Sequence, residues 1–240
     1  MSAPHPPPET VDALLDRRAL DPAPGLVAEG RPWAWREVVE AADRVADRLS
    51  ATPGAGPFHV GTFLESTPAH LFTIFGAARA GAAVVGLNTT RRGGELARDV
   101  RPTRCRLVVT DADDDGLPVA PIAGADLPQG DRVRPVPDDL FLLLFTSGST
   151  GAPKAVRMTH RRAVRMAVTS TWFSSDDVLY SAMPLFHGNA INAIVLPALG
   201  TGATIALRRR FSASEFLPDC QRTGATFFSA VSRALSYELA

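Results

Sequence analysis

Lysine is almost missing from this chain: of its 25 basic side chains, 24 are arginine and the remaining one is Lys154. The acidic side chains also number 25, so the formal net charge is zero, and nothing in the charge balance calls for a nucleic-acid surface or a strongly anionic partner. Cysteine is scarce as well. Cys105 and Cys220 stand far apart in no metal-ligand spacing, which agrees with a reduced, cytoplasmic setting. Long apolar runs are lacking. The longest, Leu71 to Leu87, is broken by Arg79 and falls short of the roughly 20 residues a membrane helix needs. The proline-rich start, Met1 to Thr10, has neither the basic opening nor the apolar stretch of a signal peptide. No bilayer span is expected, and peripheral membrane contact stays open.

What is present suits a globular protein. The chain has 240 residues, 45% of them hydrophobic, enough for one domain or two small ones. Trp35, Val38, Ala42, Val45 and Leu49 recur at helical spacing among charged residues, which predicts a surface helix with one buried stripe. Strands are expected at Phe58 to Leu64, Ala82 to Leu87, Arg106 to Thr110, Leu140 to Thr146, Val178 to Ala182 and Ala203 to Leu207. Between them come helices from Thr67, with Pro68 at its first position, to Ala80, and from Glu95 to Arg101, ended by Pro102. Others are expected at about Thr159 to Trp172, Ala190 to Leu199 and Ala213 to Arg222, before a last strand and helix reaching Ala240. The alternation predicts an α/β fold with largely parallel sheets, whose ligands sit beyond the carboxyl ends of the strands. The segment from Asp111 to Asp139, rich in Asp, Gly and Pro, reads as loops that could divide two subdomains.

The chemistry concentrates after Leu140 to Thr146. That apolar strand runs into Thr146-Ser147-Gly148-Ser149-Thr150-Gly151-Ala152-Pro153-Lys154. Glycines let backbone N–H groups turn inward on an anion, and hydroxyls add donors for phosphate oxygens and ligands for Mg²⁺. The only lysine of the chain closes the loop and supplies a point charge where a planar guanidinium would not serve equally. The pattern is neither the P-loop Gly-x-x-x-x-Gly-Lys-Ser/Thr nor the dinucleotide Gly-x-Gly-x-x-Gly. A glycine-serine surface turn is the ordinary fate of such composition; the buried strand before it and the lysine within it favour a phosphate site.

The stretch Thr146 to Lys154 resembles the phosphate-binding signature of the adenylate-forming superfamily of acyl- and aryl-CoA ligases, luciferases and peptide-synthetase adenylation domains. Pro184-Leu-Phe-His-Gly188 is similar to that superfamily's second signature, and Ala80 to Arg91 resembles the segment where its members place a strand before a helix that starts near an arginine. The resemblance runs from about Trp33 to the end. Ala155 after Pro-Lys, and Arg208-Arg-Arg-Phe-Ser-Ala-Ser-Glu-Phe216, look like the fatty-acid transport and very-long-chain acyl-CoA synthetase branch. A fatty acid is therefore preferred to an aryl or amino acid as substrate.

The resemblance implies the N-terminal large domain of such a ligase, with ATP, Mg²⁺ and coenzyme A as reactants and cofactor. A carboxylate attacks the α-phosphate of ATP, pyrophosphate leaves, and coenzyme A captures the acyl-adenylate. By the same resemblance Thr146 would be a magnesium ligand, Ser147, Ser149 and Thr150 phosphate donors beside Gly148 and Gly151, and Lys154 a clamp on the β- and γ-phosphates. His187 would line the acyl pocket near the reacting carboxylate; a hydrogen-bonded loop histidine is the plainer alternative. Arg208 to Arg210 could attract the phosphates of coenzyme A, although a triple arginine at a strand end is commonly a solvated edge. The family's Tyr-Gly-x-Thr-Glu segment, ribose-binding aspartate and mobile C-terminal domain would lie beyond Ala240. The expectation is thus an acyl-CoA ligase in part, or a non-catalytic remnant that holds nucleotide or acyl chain, with negligible ligase activity from the 240 residues alone. Acyl-CoA formation from ATP, Mg²⁺, coenzyme A and palmitate would overturn that expectation. Stopping within a sheet should also leave an open strand edge prone to aggregation.

Overall fold

A computed structural model describes residues 7–52, 57–110, 132–146 and 154–229, and of Thr146 and Lys154 it describes the backbone. In chain order the first elements are α1 (Val11–Asp16), β1 (Pro24–Ala28), β2 (Arg31–Ala34), α2 (Trp35–Ser50), β3 (His59–Phe63), α3 (Pro68–Arg79) and β4 (Ala83–Gly86). Then come α4 (Gly93–Thr103), β5 (Leu107–Thr110), β6 (Leu140–Thr146), β7 (Lys154–Thr159), α5 (His160–Thr169) and β8 (Val178–Ser181). The described part closes with α6 (Gly188–Ala190), a π-helical turn (Ile191–Val195), α7 (Leu196–Thr201), β9 (Thr204–Leu207), α8 (Ala213–Thr223) and β10 (Phe227–Phe228).

The strands form two sheets. One runs β10-β8-β9-β1-β2 and the other β5-β3-β4-β6-β7. In each, four strands are parallel and the last is antiparallel: β2 against β1, and β7 against β6. Segment 111–131 lies outside the described residues, and the strands on its two sides, β5 and β6, belong to the same sheet.

Alternation along each strand explains the layering. Val60, Val84, Leu107, Val109, Leu142 and Leu144 point into a core shared by both sheets, which α1, α2, α3, α5 and α7 fill from between. Their neighbours Phe63, Val85, Val108 and Leu143 face the other way and close over Leu96 of α4. On the other sheet Leu179, Ile205 and Leu207 enter the shared core, while Tyr180 and Ala206 meet Phe216 of α8. Strands buried on both faces read as unbroken apolar runs, and that is how Leu140 to Phe145 reads.

Helix α2 buries the predicted stripe from Trp35 to Leu49 and packs on α3. The two backbones come close at Gly76, where a Cβ would stand 2.6 Å from Val45 Cβ and 2.8 Å from the Ala42 carbonyl. Thr67 caps α3, its hydroxyl accepting from His70 N at 3.4 Å, with Pro68 at the first turn as expected. The helix expected to stop before Pro102 instead runs from Gly93 to Thr103. Proline costs a helix the hydrogen bond to the carbonyl four residues back, and in the last turn that loss is a single bond. The helix then ends on Arg104 in the left-handed region (φ 52°). The run from Leu71 to Leu87 divides into α3 and β4, and no helix among the described residues is long and apolar enough to cross a membrane.

A buried ionic knot ties the helices. Arg79 of α3, with only 10% of its side chain exposed, pairs with Asp12 and Asp16 of α1 at 2.9 Å each and with Asp43 of α2. Arg132 joins Asp43 and Asp47 from outside. Burial pushes the Asp12 carboxyl up, while the hydrogen bond from Arg79 holds Asp16 down against its own burial.

Candidate active site

The carboxyl ends of β4 and β6 and the loop after β8 meet around one cavity of about 660 Å³. Gly86, the last residue of β4, makes this meeting possible. A Cβ there would lie 2.9 Å from Leu144 Cδ2, 3.0 Å from the Phe186 carbonyl oxygen and 3.1 Å from Phe186 Cα. Only a residue without a side chain lets the Pro184–Gly188 loop lie on the sheet end. Ser66, just beyond β3, fixes the same loop by accepting from Leu185 N at 3.0 Å.

His187 follows a tight turn in which its N–H donates to the Pro184 carbonyl at 3.0 Å. Its ring packs on Phe186 with centroids 4.4 Å apart. The ring is exposed, it makes no hydrogen bond among the described residues, and partial desolvation pushes its pKa below the ordinary histidine value. It is therefore a neutral imidazole on the cavity wall near neutral pH, available to a ligand.

Beyond His187 the chain enters helix through a π-helical turn, closed by Leu196 N–H donating to the carbonyl of Ile191, five residues back. Pro197 accounts for it. Proline has no N–H for the carbonyl of Ala193 and its ring crowds that carbonyl, so a wider turn just upstream relieves the clash. The widened turn carries Asn192 into the cavity wall. Across β4, Asn88 accepts from Thr90 N and Oγ1 at 2.9 Å, forming the turn that leads to Arg91. Arg91 Nε then forms an ion pair with Asp99 Oδ2 at 3.0 Å.

The phosphate-loop candidates divide. Thr146 ends β6, Lys154 opens β7, and the two are Cα partners across the antiparallel ladder. The loop they bracket thus leaves and re-enters the sheet at one point, beside cavity residues Phe145 and Val156. The sequence predicts a loop running directly into a helix here; instead Lys154–Thr159 forms β7, an antiparallel partner of β6. Ser147, Gly148, Ser149, Thr150 and Gly151, and the side chains of Thr146 and Lys154, lie outside the described residues.

Arg208 to Arg210 are each occupied by carboxylates. Arg208 pairs with buried Asp219 at 2.8 Å, Arg209 with Glu29 and Glu65, and Arg210 with Glu65. They join the end of β9 to α8 and to the end of β3. Asp219 also accepts from Tyr180 Oη at 3.3 Å, and burial together with that carboxylate pushes the phenol pKa up.

This architecture and motif order belong to a known class of enzyme. The model of the AMP-binding enzyme family matches residues 9–240, and the chain belongs to that family. It is 43% identical over 255 residues to steroid-22-oyl-CoA synthetase of Rhodococcus jostii (strain RHA1), covering 96% of this chain and 46% of that protein. To a medium/long-chain-fatty-acid–CoA ligase of Mycobacterium tuberculosis it is 37% identical over 250 residues, covering 97% and 50%. The chain therefore spans about half the length of these curated relatives. Among solved structures, o-succinylbenzoate CoA synthetase of Bacillus subtilis with its acyl-adenylate intermediate superposes with a TM-score of 0.81 at 23% identity, over 94% of this chain and 63% of that one. The N-terminal domain of a Mycobacterium tuberculosis protein named FACL13 superposes equally well, with a TM-score of 0.81 at 23% identity. The fold is that of the N-terminal domains of adenylate-forming enzymes.

Proposed function

We propose that this chain is the part of an acid–thiol ligase that grips the phosphates of ATP and the carboxyl end of a hydrophobic acid, a fatty acid foremost. The reaction it serves joins the carboxylate to the α-phosphate of ATP with loss of pyrophosphate. The thiol of coenzyme A then displaces AMP to give the thioester. The observation that carries the reading is the convergence at one sheet end. The loop between Thr146 and Lys154 starts and finishes beside the cavity that His187 lines.

In this reading the backbone N–H groups and hydroxyls of Ser147, Gly148, Ser149, Thr150 and Gly151 hold the β- and γ-phosphates, and Lys154 neutralises charge as pyrophosphate departs. Hydroxyl donors suit Mg²⁺, which usually keeps phosphate oxygens and waters alongside one or two protein ligands. Thr146 would be such a ligand, and the bound ion would offset phosphate charge. His187, neutral and half-desolvated, orients the incoming carboxylate by donating one hydrogen bond. Cytoplasmic placement and a role in lipid metabolism accompany this proposal.

A steroid side-chain acid is a second reading, favoured by the 43% identity to the steroid-22-oyl-CoA synthetase against 37% to the fatty-acid ligase. The ligase reading is tested by titrating Mg·ATP into the protein and into Lys154→Ala. Loss of one charged contact predicts binding weaker by about ten- to a hundredfold with an unchanged melting temperature. Equal affinity would remove the loop from the phosphate site.

A further inference from the structure

The cavity of about 660 Å³ has two unlike ends. At the sheet end stand Phe145 and His187, with Gly188 placed so that a Cβ would lie 3.4 Å from Leu144 Cδ1. Leu144 is the Cα partner of Val156 in β7, two residues after Lys154. A strand rises about 3.3 Å per residue, so Met158, the next cavity residue of β7, lies about 13 Å along the strand from Lys154. Beyond it Arg162, in the first turn of α5, completes the wall. The stretch between the ends is apolar, formed by Leu144, Val156, Met158 and Met183. Two arginines reach this cavity, and they differ. Arg91 is held by Asp99 Oδ2 at 3.0 Å. Arg162 is exposed, and its guanidinium has no hydrogen bond or ion pair among the described residues.

We infer that Arg162 is a specificity residue, which reads an acceptor oxygen, of a ketone or a second carboxylate, at the end of the acid remote from its reacting carboxyl. The inference rests on the ligase reading, which sets the reacting carboxyl beside His187. It narrows the substrate from any hydrophobic acid to one with an apolar middle and an oxygen at each end, the order in which the cavity presents His187, the apolar wall and Arg162. A guanidinium keeps its charge and offers a planar fork of donors, and its hydrogen bonds to oxygen acceptors are of the strong, charge-assisted kind. An alkyl end takes none of them. Because Arg162 is exposed, it can turn to water beside a plain chain, so the cavity favours the acceptor-bearing acid without excluding the plain one.

The test is calorimetric titration of the chain with matched pairs of acids: hexadecanedioate against palmitate, and dehydrolithocholate, with its ketone remote from the carboxyl, against cholanate. In at least one pair the acceptor-bearing acid should bind about tenfold more tightly than its plain partner. Arg162→Met should abolish that preference while leaving the affinity for the plain acid unchanged or higher. Arg165→Met, an exposed arginine of the same helix outside the cavity wall, should preserve it, which separates a local contact from the general pull of positive charge on a dianion. Equal binding within both pairs, or a preference that persists in Arg162→Met, would overturn the inference and leave the ligase reading standing. A loss of Mg·ATP affinity in Arg162→Met with the acid preference intact would also overturn it, by assigning the arginine to the nucleotide. Binding of no acid at all would overturn the inference and the ligase reading together.

Discussion

Two histidines are buried deeply enough to make acid the weak point of this fold. His70 and His160 are both 0% exposed, and burial pushes each pKa from 6.5 down to about 4. Desolvation explains why neither accepts a proton easily, and it outweighs the backbone hydrogen bonds at His70 and the Asp139 charge at His160, which act the other way. Val11 N donates to His160 Nδ1 at 3.2 Å, so the ring proton sits on Nε2, and protonating Nδ1 would break the bond between α5 and the start of α1. His70 donates from Nδ1 to the Glu65 carbonyl at 3.1 Å and accepts at Nε2 from the Thr62 hydroxyl at 3.1 Å. The folded pKa lies below the unfolded one, so the unfolded chain binds the proton first. Stability is therefore full above about pH 6.5 and is lost as the pH falls toward 4. Each histidine contributes roughly 3 kcal/mol over that whole window, of which about 2 kcal/mol is gone by pH 5. Together they remove about 4 kcal/mol from a total that is typically about 5–15 kcal/mol. For a chain of this size that lowers the melting temperature by roughly 8–16 °C between pH 7 and pH 5. Thermal unfolding followed by circular dichroism at the two pH values measures it. His160→Asn keeps an acceptor for Val11 N and should cut the pH-dependent drop by about half. An undiminished drop in His160→Asn and in His70→Gln would refute the assignment. Asp12, whose carboxyl pKa is raised by burial, works in the opposite sense, contributing stability that is lost as the pH rises through its folded pKa.

The ionic knot and the sheet end give two further predictions. Arg79→Leu removes the main partner of buried Asp12 and should cost about 3–5 kcal/mol in urea unfolding at pH 7, whereas Arg134→Leu, a mostly exposed partner of Asp16, should cost under about 1 kcal/mol. Gly86→Val drives a side chain into the Phe186 backbone, should destabilise by about 1–3 kcal/mol, and should weaken oleate binding by displacing the His187 loop. Stability loss with unchanged oleate affinity would mean that the loop does not shape the acid site.

Much of this was readable in the sequence, for definite reasons. The α2 stripe, the Thr67-Pro68 start of α3 and the apolar run of β6 each obey one strong local rule, and tertiary structure agrees with it. What escaped obeys rules in conflict. The β1–β2 hairpin carries Pro24 and Pro32, which demote a strand, yet both prolines sit where their missing N–H is tolerated, and Glu29-Gly30 turns the chain with positive φ at both residues. Strand β7 was hidden because its hairpin partner is distant in pattern, though adjacent in space. At the site, His187 could be found from its motif, but Asp99 could not be found from composition alone. Its signal was a carboxylate three residues after Leu96 on the apolar side of an amphipathic helix, where a leucine-like residue belongs. Asn192 gave none, since it depends on a π-helical turn set by Pro197.

The central claim is that the loop between Thr146 and Lys154 and the cavity beside His187 are two halves of one site. A stable acyl-adenylate mimic, oleoyl sulfamoyl-adenosine, spans both halves, and its displacement by competitors is the most direct measurement. The account predicts that Mg·ATP and oleate each displace it, and that Lys154→Ala weakens it. Displacement by neither, or by ATP while oleate binds undisturbed alongside the mimic, would contradict the account.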